Sequence, residues 1–477
     1  MIGFHERTHR SPGRMELSAS PPLESASAQN RHLFHRIALL GIALASVGAT
    51  LAILGLGALS LPGLGALALL AAGATLFVLH RAPGTIVLLA TAVLPLPFIR
   101  PFLPFEFTLL ALLAMVLVLG IRRRADWTWQ LQGVEVAYLV LILWAAFTGL
   151  WCTDARLYLW GLRKLATAII TFWVAYRLAH LVPRRLFEWS IIAVGCTLSL
   201  SAMVHWMGTG LSNEQALLRR ATATDLGWGT ANYIAGILLL ISPMLLRLGL
   251  DRRRRALRAA AWPTLSLIAV MQVVIASRAG LALFWSGTVA QLAGSVRGAR
   301  RWAALGIGAA SLAILLIGPW SKGILNRFTS LRELGSMTVR IWYFREAWRR
   351  TLDTFPWGFG ANQGQVYPDH LGSTDPHNYW LVLSSELGIP GVVAWIIVLI
   401  VLWRRIGRLA KDPEWRNEAR ALQVIFWLAQ IHTLVEPTFQ GSQYQFVFFW
   451  IIGGSLGYHA VSTRSRTALP DRGRTSS

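Results

Sequence analysis

Apolar residues in this chain run in long unbroken blocks, unlike the two-residue alternation of strands or the one-sided stripes of soluble helices. "RIALLGIALASVGATLAILGLGAL" from Arg36, "VEVAYLVLILWAAFTGLW" from Val134 and "ANYIAGILLLISPMLLRLGL" from Ala231 are the plainest. Each predicts a helix able to cross a bilayer, which takes about 20 residues at 1.5 Å each. Spans are expected to begin near residues 36, 61, 84, 103, 134, 158, 187, 231, 259, 279, 302, 379, 420 and 444. The stretch "GTIVLLATAVLPLPFI" is short and proline-interrupted, and reading it as re-entrant brings the total from about fourteen spans to about twelve. The expected fold is therefore an all-α polytopic transmembrane helix bundle of 12–14 spans. Residues 31–463 form the bundle, and 321–376 make a large periplasmic loop containing short helices. Residues 1–30, polar and rich in Ser, Pro and Ala, read as a disordered cytoplasmic tail in which Met15 is an alternative start. Residues 464–477 read as a disordered basic cytoplasmic tail.

Composition agrees: 55% hydrophobic against 14% charged residues is too apolar for a soluble chain of this length. A net charge of +23 invites a nucleic-acid reading, but the charge sits in the wrong places for one. Arginines gather in short loops between apolar blocks, at 122–124, 184–185, 252–255, 300–301 and 404–405, and in the C-terminal tail. That is the bias of loops retained in the cytoplasm, and no basic–aromatic module accompanies it. Nucleic acid is therefore not an expected partner; membrane lipids are. Cys152 and Cys196 have neither zinc spacing nor a plausible pairing, and no metal or cofactor is expected.

The same threading leaves two long segments outside, 208–230 and 322–376. Against the charge rule they carry Arg219, Arg220, Arg327, Arg332, Arg340, Arg345, Arg349 and Arg350. Loops this long are mostly functional. Within the larger one, Ile341, Phe344, Trp348 and Leu352 recur at helical spacing with arginines between them, predicting an amphipathic surface helix over 336–352. Arg345, Arg349 and Arg350 suit lipid-headgroup anchoring as well as substrate binding. "FPWGFG" (355–360) turns the chain back towards the next span.

That span opens "DPHNYWLVLSSELGIPG". His377 stands at the outer boundary and Asn378 is a helix-cap candidate. Glu386 lies nine residues further, roughly 13 Å deep, where a carboxylate needs a partner. A regular helix would place it opposite His377. Pro390 clashes with the Glu386 carbonyl and predicts a kink, so Glu386 and Pro390 are read as structural, the carboxylate bracing the broken turn against a neighbouring backbone or arginine. Arg278, in the short turn "ASRAG", sits at the same outer level, where snorkelling is the alternative explanation. Convergent arginines around a histidine suit a lipid-linked phosphate, because guanidinium forks match phosphate oxygens. The excess of 42 Arg over 3 Lys has a second explanation in genomic base composition.

Four stretches, in order, resemble the O-antigen ligase/polymerase family of polytopic bacterial glycosyltransferases. They are "RRATATDLGWGTANYIAG", "ASRAG", "SMTVRIWYFREAWRRTLDTFPWGFGANQGQ" and "PHNYWLVLSSELGIPG", together covering about 219–391. One departure is "WGTAN", where many members have Pro before the Asn. The resemblance implies a metal-independent, inverting transfer of a glycan from undecaprenyl pyrophosphate to an acceptor, at the periplasmic face of the inner membrane. In that scheme His377 is the general base. Arg278, Arg220 and Arg340 stabilise the pyrophosphate leaving group, with Arg219 the alternative to Arg220. Asn378, Trp342 and Tyr379 contact substrate, with Trp357 and Tyr367 as further sugar-facing aromatics. The acceptor expected first is lipid A–core, which makes the chain an O-antigen ligase. Polymerisation onto another carrier-linked glycan and protein O-glycosylation are the alternatives. A secondary transporter of an anionic substrate is the rival from another class, disfavoured because no pair of matching broken segments recurs in two halves.

Overall fold

A computed structural model describes residues 133–208, 231–275, 277–295, 331–365 and 376–467, together with Leu109, Leu113, Val116 and Leu117. All lie within the compact unit Pro83–Ser477. The two expected terminal tails fall outside the described residues, apart from 464–467. So do the spans expected from 36, 61, 84 and 302 and all but those four helical residues of the span from 103.

Among the described residues every regular element is helical. The long helices are α1 (Gly133–Phe147), α2 (Ala155–Leu178), α3 (Arg184–Gly208), α4 (Ala231–Leu250) and α5 (Arg255–Ile275). They continue with α6 (Arg278–Ser295), α7 (Leu331–Asp353), α8 (Tyr379–Lys411), α9 (Arg416–Thr433) and α10 (Ser442–Thr467). Six are long and apolar enough to cross a membrane: α1 with its following turn, α3, α4, α5, α8 and α10. Side-chain caps start α2, where Asp154 accepts from the Leu157 amide at 2.9 Å, and α8, where Asn378 accepts from the amides of Trp380 and Leu381.

Helix α4 is the hub: from Ile234 to Gly249 its side chains are buried without interruption, with α3, α5, α6, α9 and α10 packed around it. An all-round apolar sequence belongs in such a position. Helices α2 and α10 approach most closely, with Gly453 and Gly457 set against the Phe172 and Tyr176 carbonyls, the small-residue packing usual between membrane helices. Edge-to-face aromatics fill the adjoining core, Tyr138 against Phe449 at 5.4 Å and Phe439 against Trp395 at 5.2 Å.

The break in α8 lies two residues before the expected proline. Gly388 is the non-helical residue (φ 63°, ψ −166°), a region essentially restricted to glycine. Pro390 cannot donate to the Glu386 carbonyl, so the carbonyls and amide around the gap need partners from elsewhere. The 355–360 turn supplies them. Phe359 and Gly360 donate to the carbonyls of Ser385 (2.9 Å) and Glu386 (2.8 Å), and Ile389 donates to the Pro356 carbonyl at 2.9 Å. Trp144 Nε1 donates to the Leu387 carbonyl at 2.7 Å. Gly358, also at positive φ (77°), meets Gly388 so closely that a Cβ on Gly388 would lie 2.1 Å from the Pro356 carbonyl oxygen. The Glu386 carboxylate accepts from the amides of Asn362 (2.8 Å) and Gly364 (3.3 Å), a brace to backbone.

Two expectations change. Helix α7 spans 23 residues, longer than the short helices anticipated for its loop. It packs on α8, with Thr351 Oγ1 3.2 Å from Ser384 Oγ; Tyr343, Ala347, Arg350 and Thr351 are buried, Phe344 is half-buried, and Ile341, Trp348 and Leu352 are exposed. Most of the apolar stripe read from the sequence is thus exposed, as an amphipathic surface helix requires. Helix α10 continues to Thr467 through residues assigned to the tail, where Arg466 pairs with Asp412 (3.0 Å) and Glu414.

At the end of the bundle where α3 and α5 begin, Glu188 and Glu418 sit buried among arginines. Arg247 bonds Glu188 at 2.6 Å and Glu418 at 3.2 Å, Arg184 reaches both carboxylates, and Arg254 pairs with Glu188. Arg184 also lies 4.0 Å over the Trp415 ring. This network staples α3, α4 and α9 together.

Gly388→Ala is expected to lower the thermal unfolding midpoint of the detergent-purified protein. The backbone region alone costs on the order of 1–3 kcal/mol, before the clash with Pro356 is counted. Gly407→Ala, in the same helix with open space around it, should leave the midpoint unchanged or slightly higher. Equal midpoints for the two variants would show that the crossing does not hold the fold.

Candidate functional site

Helix α9 ends at Thr433 and α10 begins at Ser442, so the chain must reverse in eight residues. The turn is anchored at nearly every step. Glu436 N donates to the His432 carbonyl at 2.9 Å, and Tyr233 hydroxyl donates to the Pro437 carbonyl at 3.0 Å. The Asn378 side-chain amide donates to the Leu434 carbonyl at 3.0 Å. Held in this way, the Glu436 side chain is only 5% exposed and faces three other segments.

Those three segments meet on its carboxylate. Asn232 at the head of α4 donates to Oε1, as does Arg340 of α7 at 3.1 Å; His377 Nδ1 lies 3.3 Å from Oε2. Arg340 also reaches the Val435 carbonyl at 3.4 Å. Burial pushes the Glu436 carboxyl up, but the hydrogen bond from His377 and the positive charge of Arg340 outweigh it. The group is held below the usual carboxylate range. A carboxylate at Oε2 fixes the His377 tautomer: the proton sits on Nδ1, and Nε2 is the basic nitrogen. His377 itself has φ of +49°, unusual for a residue with a Cβ. That conformation turns its ring towards Glu436 immediately before Asn378 caps α8.

The sequence-derived residues divide by place. His377, Asn378 and Arg340 converge on the 434–437 turn. Arg278 opens α6 at the same end of the bundle, since Gly280 sits against Ala235 one turn below Asn232. Arg219, Arg220 and Tyr367 lie outside the described residues. Trp342 and Trp357 are exposed. Tyr379 is buried, its ring packed against Trp395 (5.7 Å) and Phe439 (5.6 Å) in the core below the site. Arg350 is buried and bonds Glu346 at 2.7 Å, which removes it from the headgroup-anchoring set. With Arg349, whose hydrogen bond is the foremost cause, it holds the Glu346 carboxyl at about 2.

Glu436 is the residue that sequence reading missed. A signal existed: "LVEPT" is an acidic turn between two apolar helices, in a chain with 45 basic and 22 acidic residues. Asn232 was visible as the Asn at the start of a span, without an indication of its partner. No family model and no curated protein sequence matches the chain.

Glu436→Gln keeps the shape and removes the charge that Arg340 and His377 face, so stability should fall by on the order of 1–3 kcal/mol near neutral pH. Because the folded carboxyl lies below its ordinary value of about 4, its stabilisation is complete above that value. It is lost as pH falls through the lower folded value. The gap between the wild-type and Glu436→Gln unfolding midpoints should therefore be widest near pH 7 and close below about pH 4. A gap constant down to pH 3 would rule out the charged contact.

Proposed function

We propose that the protein is a membrane-embedded glycosyltransferase of the O-antigen ligase type. It would move a glycan from undecaprenyl pyrophosphate to an acceptor, lipid A–core first among the candidates, at the periplasmic face of the bacterial inner membrane. One observation carries the reading: a histidine oriented by a buried carboxylate, with an arginine on the same carboxylate, at the mouth of an apolar bundle. The ordered resemblance of residues 219–391 to that family supplies the substrate class.

In this scheme His377 Nε2 removes the proton from an acceptor hydroxyl as the oxygen attacks the anomeric carbon. The C–O bond to the pyrophosphate breaks, its electron pair leaves with the phosphate, and configuration inverts. Glu436, facing the Nδ1–H, stabilises the imidazolium formed when Nε2 takes the hydroxyl proton, as an orienting carboxylate does for any histidine base. Charge gathers on the departing pyrophosphate, where fixed guanidinium groups contribute most. Arg278 and Arg220, with Arg219 the alternative, fill that role. Arg340 divides between Glu436 and the mouth of the site.

His377→Ala should lower transfer by roughly 10²–10⁴-fold, the usual worth of a general base, when purified protein is given lipid-linked glycan and acceptor. Arg278→Lys keeps the charge but loses the fork, and should transfer well below wild type if the phosphate contact is bidentate. Full activity in His377→Ala would refute the base assignment. Parallel reactions with lipid A–core, a second lipid-linked glycan and a protein acceptor separate ligase from polymerase and protein glycosyltransferase. Uptake of an anionic substrate into vesicles without transfer would favour a transporter.

A further inference from the structure

The opposite end of the bundle holds a second constellation. Between the start of α3 and the α4–α5 turn lies a cavity of about 310 Å³ lined by Arg185, Arg253, Arg254, Arg255, Ala256 and Leu257. That is at the lower bound of small-ligand sites, roughly 300–1,000 Å³, and far larger than the space for one water. Its lining is cationic apart from Ala256 and Leu257, and Leu257 is buried where α5 enters the bundle.

The local carboxylates are already engaged. Glu188 and Glu418 take Arg184, Arg247 and Arg254, and the Asp251 carboxylate lies 3.6 Å from Arg254 and accepts from the Arg253 amide. Among the described residues no carboxylate lies within ion-pair distance of the Arg185, Arg253 or Arg255 guanidinium groups, all on exposed residues. Two helices also begin at this cavity, α3 at Arg184 and α5 at Arg255, and their amino ends add partial positive charge. Arg254 is fixed by Glu188 and so forms a rigid wall. Retention of arginines in the cytoplasm explains their number on this side, but not their convergence on one walled cavity from two separate segments.

We propose that this cavity binds a phosphate mono- or diester, with the three unengaged arginines as its ligands and the apolar Ala256 and Leu257 accommodating an attached chain. A phospholipid headgroup from the adjoining leaflet and a free phosphate share this chemistry. The site is independent of the glycosyl-transfer reading, because it uses none of the residues at the other end.

The test is native mass spectrometry of the full-length, detergent-purified chain titrated with cardiolipin, phosphatidylglycerol and phosphatidylethanolamine, and separately with inorganic phosphate. Wild type should retain one anionic lipid in clear preference to phosphatidylethanolamine. Arg253→Gln/Arg255→Gln should weaken that retention by about five-fold per arginine removed, and Arg185→Gln alone by a similar single step. The control pair Arg416→Gln/Arg420→Gln removes the same charge elsewhere on this side and should leave retention close to wild type. Displacement of the lipid by millimolar inorganic phosphate would identify a free phosphate as a competent occupant; retention in its presence would identify the lipid. Wild-type retention by Arg253→Gln/Arg255→Gln, or an equal loss in the control pair, would overturn the proposal. Gel filtration of each variant, with an unchanged elution volume, separates loss of the site from loss of the fold.

Discussion

A helix broken inside an apolar bundle leaves backbone groups that water cannot reach, and the arrangement of the end that carries His377 follows from how they are satisfied. The gap at Gly388 is closed by the main chain of 355–360, which donates at Phe359 and Gly360 and accepts at Pro356. Two glycines with positive φ let the strands of this crossing approach to a distance that no side chain would permit. The crossing ties the end of α7 to the middle of α8. Arg340, one face of α7, and His377, the approach to α8, are then delivered to the same turn. Glu386 completes the lock from within by holding Asn362 and Gly364, so its depth serves the backbone.

Charge is organised differently at the two ends. At the end that carries His377 one buried carboxylate, Glu436, gathers Asn232, Arg340 and His377. At the other end two carboxylates, Glu188 and Glu418, are bonded by Arg184, Arg247 and Arg254, and further arginines line the nearby cavity. Buried carboxylates are rare among apolar helices because an unpaired one is so costly. Each therefore marks where several helices must agree in position. The first leaves a histidine with a defined tautomer at the surface; the second leaves unengaged guanidinium groups.

Helix α7 turns most of its hydrophobic pattern away from the bundle, as a surface helix does. Of the apolar stripe Ile341, Phe344, Trp348 and Leu352, all but the half-buried Phe344 are exposed, and Phe355 and Trp357 extend that exposed apolar surface into the turn. In a soluble protein such a stripe would face the core. Here Tyr343, Ala347 and Thr351 are buried instead, and the stripe is left for a non-aqueous surrounding of the kind an interfacial helix requires.

Long apolar runs and arginine-bearing loops were sufficient to place nine of the described helices within a few residues of their observed starts, because span length and the charge bias are local properties. The turn at 355–360, the cap at Asn378 and the importance of Glu386 were also legible, since glycine, proline and a deep carboxylate each carry a cost that needs an explanation nearby. Tertiary structure decided the rest. It placed the helix break at Gly388 and not at Pro390, because the partner strand had to reach that point. It buried Tyr379 against Trp395 and Phe439, which are 16 and 60 residues away. It also chose Glu436, 59 residues beyond His377 and 204 beyond Asn232, as the group that joins them. Sequence distance carries no record of such a meeting; only the packing of α4, α7, α8 and α9 around one short turn brings it about.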